Sequence, residues 1–428
     1  MKPYHAFFLI VAVVFLLPGV AVRADETALG ARQRLEEVVA EALADNQEIR
    51  ADEARWEAFK QRTVQAGVLD DPMLMLRAQN VLIREPLAFD REAMTAKVIG
   101  ISQMVPFFGK RALSRDAARY GAESARWALE ERKIELTRMV KETWYQLLFV
   151  EGWQEIVEKN IAILDDLSRF SETMYSVGQG LQQDVLKAQV ERSKMEEVRI
   201  SLRQKRRSLE AALNALRFRP ADTPILPAPA LELTPLALDG AALEELAADS
   251  RPWLKRLDAE EQKALVAKKL AEKEFYPDFT FSLEYMQRDA TMGEEGFDMY
   301  SAAVTFNLPV RRERRHAMVA EAGSEIRLAR AEQDAARNQI RLDIADVLAR
   351  LAGYRRLADL YREGIIPQAG HTLEAATAAY RAGRADFMSV LDSQAMLFDF
   401  EREYIEAVAE HQMQLARLEA VVGTSFNQ

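Results

Sequence analysis

Two stretches of the chain alternate strictly between apolar and polar positions. In the first, Phe279, Phe281, Leu283 and Tyr285 are interleaved with Thr280, Ser282 and Glu284. In the second, Tyr300, Ala302, Val304, Phe306 and Leu308 are interleaved with Ser301, Ala303, Thr305 and Asn307. A period of two sends alternate side chains to opposite faces, so both stretches predict half-buried strands, joined by the polar, glycine-containing loop from Thr291 to Gly296. Met73–Leu82 and Thr95–Val105 predict two matching strands earlier in the chain, with a poorer alternation. At about 9 to 11 residues each strand is long enough to cross a bilayer at barrel tilt. A soluble sheet resting one face on a helix satisfies the same pattern. Four strands cannot close around an aqueous interior, and membrane barrels begin at about eight. A membrane reading therefore needs two, three or four copies sharing one barrel.

The remaining chain carries helical periodicity over long, proline-poor distances. Lys110–Leu167 places Trp127, Ile134, Val140, Trp144, Leu147, Leu148, Ile156, Ile161 and Leu164 among Glu, Lys and Arg, and Leu181–Leu216 resumes after Gly178 and Gly180. Leu202, Leu209 and Leu216 recur every seven residues, the spacing of coiled-coil packing. Arg314–Ala378 and Phe387–Val422 predict a second such pair around Gly383. Each half of the chain thus ends in an antiparallel helical hairpin with a glycine turn at its tip.

The halves also repeat in detail. A 205-residue offset separates Tyr175 from Tyr380, Gly178 from Gly383, Val185 from Val390, Gln189 from Gln394 and Pro72 from Pro277, and 203 residues separate Pro106 from Pro309. Between them Pro220, Pro224, Pro227, Pro229 and Pro235 make an extended linker, because proline lacks a backbone donor and restricts its predecessor. The expected organisation is a first repeat over residues 25–219, a linker over 220–235 and a second repeat over 236–428.

Residues 1–24 have the form of a secretory leader: Lys2, an apolar run from Phe7 to Leu17, Pro18-Gly19, and Val22-Arg23-Ala24 at a small-x-small cleavage site. An uncleaved membrane anchor is the alternative for this segment. The net charge is −10, and loss of Lys2 and Arg23 with the leader makes it −10 − 2 = −12. That balance opposes sequence-independent nucleic-acid binding, which needs a cationic surplus. Zero cysteines exclude disulfides, thiolate metal sites, a cysteine nucleophile and a lipidated cysteine.

Tyr175-Ser176-Val177-Gly178 leading to Asp184-Val185-Leu186, and Tyr380-Arg381-Ala382-Gly383 leading to Val390-Leu391-Asp392, resemble the tips of the TolC family of outer-membrane efflux factors. The strand-to-helix junction from Ile101-Ser102-Gln103 through Pro106 to Gly109-Lys110-Arg111 is similar to the family's cation-efflux branch. The resemblance implies a mainly α chain with a membrane β-barrel portion: long periplasmic helical hairpins plus four transmembrane strands per chain. A homotrimer would form a twelve-stranded barrel in outer-membrane lipid and an α-helical tunnel. It further implies a periplasmic adaptor protein, an inner-membrane pump, and a passive channel without cofactor or reaction, with heavy-metal resistance as one outcome. By position Asp184 corresponds to the family's acidic gate partner, Tyr380 to its tyrosine and Asp392 to one acidic ring residue. The basic position after the second-tip glycine is Ala385, with Arg384 beside it, and the second ring position is Ser389.

Read without the family, Gly178, Gly180 and Gly383 permit the positive φ that ends helices, and Asp184 or Asp386 can cap the helix that follows. For these aspartates capping and gating both remain open. His316, His411, and His371 with Glu374 lack paired metal-ligand spacing and read as exposed helix positions. Gly178-Gln179-Gly180 lacks the third glycine and preceding strand of a dinucleotide site. Met73, Met75, Met94, Met104, Met286, Met292 and Met299 cluster near the expected strands, where packing filler and soft-metal contact are the two readings. The expectation is a passive exit duct of a tripartite efflux system. A type I protein-secretion channel and a soluble periplasmic helical scaffold are the alternatives.

Overall fold

A computed structural model of the 428-residue chain describes residues 34–226, 231–234, 239–293 and 295–426. The expected leader lies outside the described residues, as do Pro227, Pro229 and Pro235 of the linker. The chain is dominated by helices. Short helices α1 (Leu35–Asp45) and α2 (Gln47–Gly67) precede strands β1 (Met73–Gln79) and β2 (Ala96–Val105), then α3 (Lys110–Ser176) and α4 (Gln182–Leu216). The same order recurs as α5 (Gly240–Ser250), α6 (Pro252–Lys273), β3 (Phe279–Gln287), β4 (Met299–Phe306), α7 (Arg312–Leu360), α8 (Ile366–Arg381) and α9 (Phe387–Val422).

Helix α3 has 67 residues, about 100 Å at 1.5 Å per residue. Its apolar positions make a stripe rather than a continuous run, and it packs on α2, α4, α6 and α9. One core collects Val38, Ile49, Val140, Trp144, Leu147 and Leu213 from α1 to α4. Another collects Leu243, Leu257, Ile344, Leu351 and Leu418 from α5, α6, α7 and α9. No described helix is long and apolar enough to cross a membrane.

Helix α7 does not run unbroken to Ala378 as its periodicity predicts. A π-helical turn over Tyr361–Ile365 separates it from α8. Pro367, two residues beyond, can neither donate to the preceding turn nor fit its carbonyl, and the wider turn absorbs the conflict. Strand β1 ends at Gln79 rather than Leu82. Asn80 adopts φ +54°, its side-chain amide donates to the Met94 carbonyl at 3.1 Å, and Thr95 donates to the Asn80 carbonyl at 3.0 Å. Strand β3 runs two residues past Tyr285, while β4 stops at Phe306, where the Asn307 side chain accepts from the Asp278 amide at 2.8 Å.

Candidate functional site

The four strands form one antiparallel sheet in the order β1-β2-β3-β4. Directly paired residues share a face, and the register sorts the sheet into two unlike surfaces. On one, Leu74 pairs with Ile101, Ile101 with Leu283 and Leu283 with Ala302. Beside that row run Leu76, Ile99, Tyr285 and Tyr300. Tyr285 and Tyr300 sit 5.3 Å apart between ring centroids, and Phe279 and Phe306 6.4 Å apart on the same face. The two aromatic pairs are separated by six residues, about 20 Å along the strand. Ile99, Ile101, Leu283 and Val304 between them are about half exposed. An exposed aliphatic band with aromatic rows at both ends matches a hydrocarbon slab and its two interfaces.

The opposite face carries Ser102 with Ser282, Thr280 with Thr305, and Gly100 with Glu284 and Ser301. Arg77 donates to Glu284 on this face at 2.8 Å. Sequence reasoning did not pair these two. A lone charge in the middle of each of two otherwise uncharged strands was the available signal. Ala96, Val98 and Gly100 are buried there while their outward neighbours Lys97, Ile99 and Ile101 are exposed. Among the described residues β1 and β4 each leave one edge without a partner strand.

The junction motif joins the sheet to the helices. Gly109 takes φ +90° as the N-cap of α3, a backbone turn that a side chain would strain. The buried Lys110 ammonium then lies 3.0 Å from Asp278 and 3.1 Å from Glu274. Asp278 also accepts from the Phe107 amide at 2.7 Å, and Phe107 stacks on Tyr276 at 4.6 Å. The end of β2 and the start of β3 are thereby tied to the first turn of α3.

At the other end both hairpins turn in the same way. The Gly178 amide donates to the Tyr175 carbonyl at 3.0 Å and the Gln179 amide to the Met174 carbonyl at 2.8 Å. Gly383 donates to Tyr380 at 3.0 Å and Arg384 to Ala379 at 2.9 Å. These paired bonds are Schellman closures, with φ of +76° at Gly178 and +65° at Gly383. Gly180, expected to need positive φ, does not adopt it. Crowding favours it there instead, because a Cβ would sit 3.0 Å from Met174 Cβ and 3.1 Å from the Tyr175 nitrogen.

The two aspartates divide their roles. Asp386 is the N-cap of α9 and accepts from the Ser389 amide at 3.0 Å and its hydroxyl at 2.5 Å. These bonds, the hydroxyl first, hold its carboxyl below the usual range. Asp184 is not a cap. Leu181 holds that position in α4 without any side-chain bond, and Asp184 lies in the first turn, buried. Tyr380, also buried, faces it from α8 and packs on Phe170 and Phe387 at 5.7 and 5.3 Å. Its phenol pKa is raised by burial first, with Ser171 opposing and the Asp184 charge adding. The hydroxyl closes no hydrogen bond of good geometry. Tyr175, Arg384 and Asp392 are exposed, so the structure brings together Asp184 and Tyr380 but not these three. Further up the hairpins, Gln394 donates to buried Asn160 at 2.6 Å, linking α9 to α3.

His316 and His371 are exposed as expected, but His411 is 3% exposed, inside the packed face of α9. The polar spacing around it hid a position that faces α7 rather than solvent.

A two-faced sheet continued by long helices, α3 alone reaching about 100 Å, has the build of an outer-membrane channel protein that extends into the periplasm. The sequence profile of the outer membrane efflux protein family matches residues 38–218 and 243–424, and the chain belongs to that family. It is an outer-membrane efflux duct, a passive channel rather than an enzyme. Among solved structures, the outer membrane protein VceC from Vibrio cholerae is 18% identical over 92% of this chain and 97% of its own, with a TM-score of 0.77. CusC is 16% identical over 92% of this chain and 93% of its own, with a TM-score of 0.80. The open state of the MtrE channel from Neisseria gonorrhoeae is 16% identical over 91% of this chain and 89% of its own, with a TM-score of 0.76. These likenesses are of fold. Comparison with curated proteins gives no significant match.

Proposed function

We propose that residues 1–24 export the chain, that residues 25–219 and 236–428 are two structural repeats joined by the 220–235 linker, and that three copies close one twelve-stranded barrel in outer-membrane lipid. The helices of the three copies form the tunnel, and the tips receive a periplasmic adaptor coupled to an inner-membrane pump. The observation that carries this reading is a sheet with one aliphatic-aromatic face, one polar face and two free edges. An open hydrophobic edge is a liability unless another strand completes it, and backbone groups in hydrocarbon must all be paired. Ring closure meets both demands.

At the tip, Tyr175, Gly178, Gly180, Asp184, Tyr380, Gly383, Arg384, Asp386 and Asp392 form the gate and adaptor-contact region. Gly178, Gly180, Gly383 and Asp386 shape the turns. Asp184 and Tyr380 sit where α4 meets α8, and Asp392 presents a carboxylate that three-fold symmetry would repeat into a ring favouring cations. Heavy-metal cations are the cargo suggested by the junction from Ile101 to Arg111. The test is the native mass of protein extracted by detergent from a purified outer-membrane fraction. A trimer is expected, and a periplasmic monomer refutes the channel assembly.

A further inference from the structure

We infer that the polar face of the sheet carries a thioether site for a soft monovalent cation of the Cu(I) or Ag(I) type. The inference rests on the proposed barrel, whose lumen that face lines, and deepens its cargo assignment. All five methionines within the strands fall on this face. Met73 pairs with Ser102, Met75 with Gly100, Met104 with Thr280, and Met286 with both Val98 and Met299. The aliphatic face, where an apolar filler would gain most, has none. Packing within the sheet does not account for Met104, which is 40% exposed although β2 has a partner strand on each side.

The register also sets two of them side by side. Met286 and Met299 are direct cross-strand partners. One row away, a Cβ added to Gly100 would lie 3.1 Å from Met75 Cε and 3.0 Å from Glu284 Cγ. Gly100 therefore provides the space over which the Met75 thioether end and the Glu284 stem converge. Glu284, held by Arg77 at 2.8 Å, adds an anionic oxygen beside the sulfurs. Met75 and Met299 stand on strands at opposite edges of the sheet, so ring closure places Met299 of one copy on the strand next to β1 of another. Thioethers are neutral, soft ligands that select Cu(I)-like ions over hard or borderline divalent cations.

The test uses full-length protein in detergent, with Ag(I) as the probe. Wild type and a Met75→Leu/Met286→Leu/Met299→Leu variant are incubated with Ag(I), passed through gel filtration and assayed for retained silver, with Zn(II) in parallel. Leucine keeps the side-chain volume. At least a tenfold fall in retained Ag(I) is expected for the variant, with no Zn(II) retained by either. Equal Ag(I) retention by both proteins, or none by a trimeric wild type, overturns the thioether site alone. A monomeric wild type in the same column run overturns the barrel reading and this one with it. A variant that elutes as a trimer excludes misfolding as the cause of loss.

Discussion

Substituting Lys141 by Met tests the clamp that fastens α3 to the C-terminal end of α9. The Lys141 and Glu419 side chains are 10% and 8% exposed and form a direct ion pair. The other Glu419 oxygen accepts from the Ser425 hydroxyl at 3.1 Å and the Phe426 amide at 3.0 Å. Removing the ammonium leaves a buried carboxylate with two neutral donors. Breaking one side of a buried pair costs about 3–5 kcal/mol. Unfolding entropy near 2.1 cal/mol/K per residue makes that a fall in melting temperature of about 4–6 °C for a chain of roughly 400 residues. Thermal unfolding of the detergent-solubilised protein, followed by circular dichroism, reads the shift. Adding Glu419→Gln removes the stranded charge but keeps an acceptor for Ser425 and Phe426, and should recover most of the loss. Arg169→Ala is the control, because Arg169 and Asp166 pair on the surface with side chains 73% and 75% exposed, where a pair is worth about 0–1 kcal/mol. A single variant melting within about 1 °C of wild type, or a double variant no better than the single, refutes the reasoning.

Asp184→Ala removes the charge beside Tyr380 without touching a cap and should raise single-channel conductance in planar bilayers, whereas unchanged conductance reduces Asp184 to favourable charge in the first turn of α4. His411 is buried with Nδ1 unbonded, and burial, then the Arg355 charge, depress its pKa against the opposing pull of Asp359. The unfolded chain binds the extra proton first, so stability falls as pH drops below about 6.5 toward the folded pKa. Melting curves at pH 7.5 and 5.5 should show this loss shrinking in His411→Gln. Arg77→Gln frees Glu284 on the polar sheet face and should shift the zero-current potential toward greater cation preference, an outcome absent if that face does not line the pore.

The parts of the fold most legible in the sequence were those where one physical demand dominates. Strands β3 and β4 alternate because one face must be aliphatic or aromatic while the other carries Thr, Ser and Glu, and the structure shifts only their end residues. The long helices were legible because few prolines interrupt them. Their break at Tyr361–Ile365 was missed because Pro367 stands inside an otherwise strong apolar stripe. At the tips, Tyr175 and Tyr380 share a place in the sequence pattern but differ in burial, the first 50% and the second 7% exposed. No single-repeat pattern can show that difference, because it arises where α8 packs against the first hairpin.

Strands β1 and β2 were the least legible, for a chemical reason. On their polar face stand Met73, Met75, Val98, Gly100 and Met104, and on the other Leu74, Leu76, Ile99 and Ile101. A hydropathy pattern scores a thioether as apolar, so both faces look alike and the period of two disappears. The pairing register separates what hydropathy merges: branched aliphatic residues on the face suited to hydrocarbon, and sulfur beside Ser, Thr and an Arg–Glu pair on the other. Leucine would serve a purely steric role on that second face equally well, and with lower conformational entropy to lose. The irregularity that blurred the first two strands is therefore the same feature that points to what the polar face contacts.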